Sequence, residues 1–174
     1  MKKTNILMSS LVVIALLIVG CSDDDDSNCT QDLTGELSNS ETAFAHKWVL
    51  AEIVSEKEID LTDDSEDNPN TNLFEQYGAC EKDAFYNFNS DRSYTFEQGV
   101  TASNCSNKQT STGTWKLTNN TLLTLVSFCN MRVINIEINT DDTSFFIEDN
   151  FNVTDVKGNR INSNITFTYN KVAI

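Results

Sequence analysis

From residue 46 onward, apolar and polar side chains alternate with a period of two, the pattern typical of β-strands that bury one face. The alternation predicts eight strands, at residues 47–56, 84–89, 93–98, 111–118, 121–128, 132–139, 144–153 and 160–171. Most of them are separated by short segments rich in Asn, Asp and Ser, which favour tight turns. The main exception is an acidic loop at residues 60–72, followed by one helical turn at residues 72–77.

These strands predict an all-β fold, an eight-stranded antiparallel up-and-down barrel, because closing the sheet removes its exposed edges. No predicted helix is long enough to connect parallel strands. A β-sandwich made from the same strands is the alternative. The outward positions carry Thr, Asn, Lys and Glu, so the barrel should face water rather than lipid. The side chains expected to point inward are Trp48, Leu50, Val54, Tyr86, Phe88, Tyr94, Phe96, Trp115, Leu117, Ile134, Ile136, Ile138, Phe145, Ile147, Ile161, Ile165, Phe167 and Tyr169.

The first twenty residues have the composition of an export signal. Two lysines precede an apolar run which, at about ten residues, is shorter than the ~20 needed to cross a bilayer. The segment Leu17-Ile18-Val19-Gly20-Cys21 resembles the bacterial lipobox, where the signal is cleaved and the cysteine thiol takes a diacylglyceryl group. The resemblance implies a lipoprotein signal peptide at residues 1–20 and lipid attachment at Cys21. An ordinary cleaved signal followed by an incidental cysteine is the alternative.

Residues 22–26 read Ser-Asp-Asp-Asp-Asp, a block of like charges that stays solvated. Together with the polar stretch that follows, it predicts a lipidated flexible tether over residues 21–42, ahead of a barrel domain over residues 43–174. The acidic run also resembles the signal with which Bacteroidota lipoproteins reach the outer face of the outer membrane. The resemblance implies an outer-membrane protein that is held by its lipid and faces the cell exterior, with the periplasmic face as the alternative.

The charge balance excludes one class of partner. Without Lys2 and Lys3 of the signal, 10 of the 12 basic residues remain against 26 acidic ones, a net charge of −16 with His46 neutral. Nucleic acids and anionic lipids are recognised by clusters of Lys and Arg, and residues 21–174 contain no such cluster. We therefore expect no nucleic-acid partner.

Four cysteines remain after Cys21, and an even number in an exported chain indicates disulfides. Cys80 and Cys105 flank a predicted strand pair, so both can lie at one end of it, which favours a bridge between them. Cys29 and Cys129 then either pin the tether to the barrel or stay as free thiols, and the sequence leaves both possibilities open. A zinc site is disfavoured because no Cys-x-x-Cys pair exists.

No catalytic or metal centre is expected. His46 is the chain's single histidine, and any nucleophile–histidine pair would have to be built on it. It lies at the start of a strand, where we expect it to be solvated, and most cysteines are expected to be oxidised. A histidine metal site has no second histidine. The acidic loop at residues 63–68 lacks the glycine and the final glutamate of a calcium-binding EF-hand. Asp149 shares the parity of the inward Phe145, but a glycosidase needs a second carboxylate facing it. We therefore expect a non-enzymatic protein without a cofactor.

The order and spacing of several motifs resemble the lipocalin-like domain of Bacteroidota lipoproteins, over residues 43–171. The matching segments are Lys47-Trp48-Val49-Leu50, Cys80-Glu81-Lys82-Asp83, Tyr86-Asn87-Phe88 before the Asp91 hairpin, Cys105, and Gly113-Thr114-Trp115-Lys116-Leu117. The resemblance implies that Cys80 and Cys105 are paired. Lipocalins also carry a glycine where this chain has His46, and an arginine of the last strand over the tryptophan, whereas the last predicted strand has only Arg160, at its start.

An eight-stranded barrel is just wide enough to be filled by side chains or to hold one small ligand. The resemblance favours a ligand, and the wall of its pocket is then expected to include Trp48, Phe88, Phe96 and Trp115. We therefore expect a surface lipoprotein whose barrel binds a small apolar or amphipathic molecule. The alternative is a filled barrel that acts as a structural or interaction module, with loops 60–79 and 101–110 contacting a surface protein or a glycan.

Overall fold

The computed structural model describes residues 29–172. The expected signal peptide, the lipid attachment site Cys21 and the acidic run at residues 22–26 lie outside the described residues. The described part contains three short helices and ten strands, namely α1 (Asn39–Phe44), β1 (Lys47–Ile59), β2 (Asn70–Asn72), α2 (Leu73–Gln76), α3 (Ala79–Lys82), β3 (Phe85–Phe88), β4 (Ser93–Gln98), β5 (Gln109–Thr118), β6 (Leu122–Ser127), β7 (Asn130–Asn135), β8 (Glu137–Ile138), β9 (Ser144–Thr154) and β10 (Arg160–Lys171). Within residues 29–172, no helix has both the length and the apolar character needed to span a membrane.

All ten strands belong to one antiparallel sheet with the order β7-β6-β5-β4-β3-β1-β10-β9-β8, and β2 pairs with β1 beside this path. The two strands at the ends of the order, β7 and β8, are consecutive in the chain and are joined by Ile136. The sheet therefore curls round to meet itself and forms a nearly closed barrel. The expected all-β, up-and-down antiparallel barrel is confirmed, whereas the two separate sheets of a β-sandwich are not formed.

One predicted strand becomes two because its backbone changes partner. Residues 132–139 were expected to form a single strand, but β7 pairs with β6 while the two residues of β8 pair with β9. At the junction, the backbone N–H of Ile136 donates to the carbonyl of Thr121 (2.8 Å). The alternation of apolar side chains runs unbroken through this change, so the sequence pattern does not reveal it.

A β-bulge in β1 reverses the predicted direction of one side chain. Leu50 lies opposite Tyr169, but the next paired residue, Glu52, lies opposite Thr168, so Ala51 is an extra residue in the ladder. Beyond the bulge, Ile53 and Ser55 are buried, whereas Val54 is 41% exposed. The prediction that Val54 points inward is wrong, because an inserted residue shifts the alternation by one position.

The remaining expected core positions do lie on the inner face. Twelve of them are buried, namely Trp48, Leu50, Tyr86, Phe88, Tyr94, Trp115, Leu117, Ile134, Ile136, Phe145, Ile165 and Tyr169. Five others are half-buried against this core, namely Phe96, Ile138, Ile147, Ile161 and Phe167. Burial on the inner face is thus complete at most of the expected positions and partial at these five.

Helix α1 closes the fully buried end of the barrel. It begins with a capping box, in which the Ser38 hydroxyl accepts from the N–H of Glu41 (3.3 Å) and the Glu41 carboxylate accepts from the N–H of Ser38 (2.8 Å). At its other end, the Phe44 ring lies within 5.0–5.9 Å of four further rings, those of Trp48, Phe88, Trp115 and Phe145. We call this arrangement the ring cluster.

Residues 29–38, which we call the strap, run along the outside of the barrel. The backbone N–H of Leu33 donates to the Thr114 hydroxyl of β5 (2.8 Å), and the guanidinium of Arg92 donates to the carbonyls of Gly35 (2.8 Å) and Glu36 (2.7 Å). The strap then leads directly into α1. The expectation that the whole segment 21–42 is a flexible tether is therefore wrong from residue 29 onward, because these contacts and a disulfide hold it on the barrel.

Both disulfides lie at the end of the barrel opposite α1. Cys80 is bonded to Cys105 (S–S 2.04 Å), which confirms the predicted bridge. Cys29 is bonded to Cys129 (S–S 2.03 Å), so of the two possibilities left open by the sequence, the strap is pinned to the turn between β6 and β7. The same end carries α2, which lies against β1 and buries Leu73 completely.

Candidate ligand-binding site

Three of the four expected pocket residues belong to the ring cluster. Trp48, Phe88 and Trp115 are at most 1% exposed, and both indole N–H groups donate to backbone carbonyls at 2.9 and 3.0 Å. The cavity beside Trp48 measures about 40 Å³, room for a few water molecules but not for an organic ligand. The structure therefore gives these three side chains a packing role at the closed end of the barrel.

The fourth expected residue, Phe96, lies elsewhere. Its ring is half-buried and stands 4.8 Å from that of Tyr86, one position further from the ring cluster than Phe88. At this level, the inner face of the barrel is no longer sealed.

The barrel is open along one side, between β7 and β9. Near Ile136 the two ends of the sheet are held together by the pairing of β8 with β9, but that pairing covers only Phe145 and Phe146 of β9. Further along, β7 pairs with β6 and β9 pairs with β10, and no ladder joins β7 to β9 within the described residues. We call this gap the open seam.

Two opposite charges stand on the inner face at the open seam. Arg132 of β7 lies directly opposite Leu125, and Asp149 of β9 lies directly opposite Ile165. Directly opposed residues of antiparallel strands share a face, and both of these partners are buried in the core. Arg132 and Asp149 are nevertheless exposed, so water reaches the inner face of the barrel here.

Two tyrosines lie within electrostatic range of the Arg132 charge. The rings of Tyr86 and Tyr169 are 5.3 Å apart and edge-on. Burial raises the pKa of Tyr86 to about 12, while the nearby Arg132 charge opposes this rise. Burial, and then the neighbouring Tyr86, raise the pKa of Tyr169 well above its ordinary value, and Arg132 again opposes the shift. Both phenols are therefore neutral at physiological pH and able to donate a hydrogen bond.

Neither phenol uses that ability within the described part of the chain. No hydrogen bond joins the hydroxyl of Tyr86 or Tyr169 to another group of residues 29–172, although the hydroxyl of Tyr94 lies 3.3 Å from that of Ser111. Neither hydroxyl is sealed from solvent, since no side-chain oxygen or nitrogen there is both fully buried and without a partner. Two accessible donors therefore face the inside of the barrel.

Aromatic side chains supply an apolar wall beside these donors. Phe151 lies opposite the buried Ser163 and so faces inward, and its ring stands 5.7 Å from that of Phe167. Both rings are half-buried, as is Phe96. We call the whole arrangement the seam site, and its members are Arg132, Tyr86, Tyr169, Phe96, Phe151 and Phe167, with Asp149 at the edge.

A second depression, larger than the cavity beside Trp48, has a different character. It encloses about 370 Å³ outside the barrel, next to the ring cluster, and includes His46, Asn87, Ser90 and Val172. Burial, and then the positive charge of Lys171, lower the pKa of His46, so its imidazole is neutral at pH 7. This hollow is wide open to solvent, and its lining is shared about equally between polar and apolar groups, with Lys47 among them.

The acidic loop does not form a cation site. The carboxylate of Asp64 accepts from the N–H of Glu66 (2.9 Å) and from the amide of Asn68 (3.0 Å), and Asp67 pairs with Lys157 (2.6 Å). Among residues 29–172, no three or more Asp, Glu, His or Cys side chains are grouped closely enough to hold a metal ion. The carboxylates of this loop stabilise its own turns.

Comparison with known proteins identifies one match. A family model described as "Domain of unknown function (DUF5004)" matches residues 22–171, which is most of the chain. No curated protein and no solved structure shows a significant match.

Proposed function

The chain belongs to the DUF5004 family, and we propose that it is an exported lipoprotein, anchored through Cys21, whose barrel binds a small amphipathic molecule at the seam site. The observation that carries the proposal is the exposed Arg132 on the inner face of the barrel, within electrostatic range of Tyr86 and Tyr169, whose hydroxyls make no hydrogen bond within residues 29–172. A charged side chain on an inner face has a large desolvation cost unless water or a ligand satisfies it.

The residues of the seam site favour a ligand with two chemically different parts. A guanidinium and two neutral phenols are donors, and together they suit a single carboxylate or phosphate group. The half-buried rings of Phe96, Phe151 and Phe167 suit an apolar body. Asp149 also faces inward at the open seam, and its charge would disfavour polyanions.

The anchor and the location are proposed from the sequence. The lipobox resemblance at residues 17–21 supports acylation of Cys21, and the family match begins at residue 22, directly after that cysteine. The acidic run at residues 22–26 supports an outer-membrane location facing the cell exterior, with the periplasmic face as the alternative. Two or three acyl chains would hold the protein stably.

A lipocalin-like relationship is part of the same proposal. Lipocalins place an arginine of the last strand over the tryptophan of the first. Here the Nζ of Lys171, in the last strand, lies 5.5 Å from the centroid of the Trp48 ring, a cation–π contact in the corresponding place. This supports the resemblance in one of the two features where the sequence departed from it.

A binding experiment with a matched control tests the ligand. The soluble form lacking residues 1–21 is titrated with a fluorescent fatty acid, and Arg132→Gln is compared with Lys116→Gln, which removes the same charge from an exposed position on β5. We expect Arg132→Gln to weaken binding about tenfold, the effect of one charge-assisted hydrogen bond, and Lys116→Gln to leave it unchanged. Equal affinities in both variants, or no saturable binding, would disprove the carrier.

A second candidate is an interaction module that contacts a surface protein or a glycan. The observation that favours it is a group of exposed apolar side chains, Phe128, Met131 and Val133, on the β6–β7 hairpin rather than in the seam site. The two candidates are separated by the experiment above, because a module that works through its outer surface is indifferent to Arg132.

A further inference from the structure

The β6–β7 hairpin carries the most exposed large apolar side chains of the described residues. Phe128 is 82% exposed, Met131 54% and Val133 55%, whereas the others in residues 29–172 are separate valines near 40%. Met131 and Val133 lie on the outer face of β7, since they alternate with the inward Arg132 and Ile134. The three side chains therefore form one outward-facing apolar group at one end of the barrel.

The turn of this hairpin holds Phe128 in an unfavourable conformation. Phe128 (φ 49°) and Cys129 (φ 65°) both adopt the left-handed region, which bulky residues enter at a cost. The equivalent turn between β5 and β6 uses Asn119 and Asn120, which tolerate that region well. An aromatic residue is thus kept, against its backbone preference, where its ring points into solvent.

The disulfide fixes this hairpin close to the lipid anchor along the chain. Cys29 is bonded to Cys129, the residue next to Phe128. Cys21 precedes Cys29 by eight residues, and a chain of that length spans at most about 26–29 Å when fully extended. An acylated Cys21 therefore keeps the hairpin within a short distance of the bilayer.

The strands nearest the hairpin carry no acidic side chain of their own. The chain contains 26 acidic residues, but residues 98–136 contain none, and they carry Lys108, Lys116 and Arg132. This segment includes β5, β6 and β7. The acidic residues joined to it through Cys29 are Asp32 and Glu36 of the strap and the four aspartates of residues 23–26. The remaining surface would be repelled by anionic lipid, so the apolar hairpin lies in the region best able to approach a membrane.

We propose that the β6–β7 hairpin rests on the bilayer that holds the lipid anchor, with the side chains of Phe128 and Met131 among the lipid headgroups. The proposal rests on the proposed acylation of Cys21. Aromatic side chains are favoured at the membrane–water interface, and a single hairpin adds to the anchor rather than replacing it. Because β7 also forms one side of the open seam, the seam site opens near the lipid surface, where amphipathic molecules are most concentrated.

Fluorescence quenching by brominated lipids tests this contact. The full-length lipoprotein, expressed and processed in its host, is reconstituted in phosphatidylcholine–phosphatidylethanolamine vesicles with and without brominated phosphatidylcholine. Phe128→Trp is compared with Val54→Trp, an exposed position on β1. The two native tryptophans, Trp48 and Trp115, are buried and out of reach of the lipid. The fluorescence of the unsubstituted protein is therefore a constant background that can be subtracted. Met131→Trp is a second probe of the same surface in case the turn does not accept an indole.

We expect about twofold quenching for Phe128→Trp or Met131→Trp and little for Val54→Trp, since interfacial aromatic side chains reach the depth of the upper acyl chains. The decisive control is protein that carries acyl groups on Cys21 and sediments with the vesicles. If its probes at Val54 and at the hairpin are quenched equally, the proposed hairpin contact is overturned, while the proposed anchor stands. A blue-shifted but unquenched hairpin probe would mean that protein covers it, and would overturn it as well. Protein without acyl groups on Cys21 would instead refute the proposed anchor.

Discussion

Arg92 and Glu41 form a bidentate ion pair in the interior of the protein, with Nη1 2.7 Å from Oε1 and Nη2 3.0 Å from Oε2. Both side chains are almost completely buried, and Glu41 Oε1 also accepts from the backbone N–H of Leu117 (3.2 Å). Arg92 belongs to the β3–β4 hairpin turn and Glu41 to α1, so the pair joins the helix that closes the barrel to the sheet. It also places the guanidinium where the strap carbonyls can accept from it.

Removing one member of this pair should destabilise the protein strongly. Glu41→Gln leaves the Arg92 charge buried without its counter-charge, and such changes cost about 3–5 kcal/mol. Denaturation by urea, followed by tryptophan fluorescence, measures the loss. Glu36→Gln is the control, since Glu36 meets Arg92 only through its backbone carbonyl. A loss for Glu41→Gln no larger than for the control would show that the pair contributes little.

The same carboxylate should make stability depend on acid pH. Burial by itself raises the pKa of Glu41, but hydrogen bonds from Arg92 and from the backbone N–H groups of Ser38 and Leu117 outweigh it and lower the pKa to about 2. A carboxylate whose pKa is depressed in the folded state stabilises the fold above its unfolded pKa near 4.5, and this contribution is lost as the pH falls towards 2. Unfolding curves between pH 5 and pH 2 should therefore show a smaller loss of stability for Glu41→Gln than for the native chain. Parallel curves would contradict this assignment.

The two disulfides should differ in their contribution. Cys29 and Cys129 are 100 residues apart and Cys80 and Cys105 are 25 apart. On the chain-entropy model, the longer loop contributes about 4.7 kcal/mol and the shorter about 3.5 kcal/mol. Paired Cys→Ser variants, compared by chemical denaturation, should follow this order. The variant without the Cys29–Cys129 bond should also be cleaved sooner by protease within residues 29–38, because that bond holds the strap on the barrel. The variant without the Cys80–Cys105 bond should not show this faster cleavage.

A methyl group at Gly113 should disturb the pairing of β5 with β6. A Cβ there would collide with the backbone carbonyl oxygen of Val126, which has no freedom to move away. At Gly78, whose φ is ordinary, a Cβ would meet only the end of the flexible Glu81 side chain. Gly113→Ala should therefore lower the free energy of unfolding by about 1–3 kcal/mol, which is measured as a lower thermal midpoint. Gly78→Ala should leave the midpoint nearly unchanged. Similar midpoints for both variants would show that the strands can separate to accept the methyl group.

Alternation along the strands was enough to predict the inner face of most of the barrel, because each strand had one dry and one wet side. Tyr86 and Phe145 are buried as that rule requires. The rule failed at Val54, since the extra residue at Ala51 has no signature in the order of apolar and polar residues. The same rule could not show that β7 pairs with β6 while β8 pairs with β9. The alternation of inward and outward side chains continues unchanged from one strand to the other.

The candidate site was harder to predict, because it depends on charged residues that break the usual inward–outward rule. Arg132 shares the parity of Ile134 and Ile136, and that parity was the available signal, but arginine is normally assigned to the solvent side. The strap was overlooked for a related reason: its sequence is polar and irregular. The capping box of Ser38 and Glu41, followed by Phe44, was the local pattern that could have identified the helix.

On the proposed export of the chain, amino terminus first, the bond between Cys29 and Cys129 also sets an order of events. Cys29 emerges first and must wait until 100 further residues have followed before its partner is present. During that interval, Cys80 and Cys105 become available. They can then bond to each other, or either of them can bond wrongly to Cys29. Correct maturation therefore requires that the shorter loop be sealed early, or that a wrong bond be exchanged later, so the yield of native protein should depend on the oxidising machinery of the compartment.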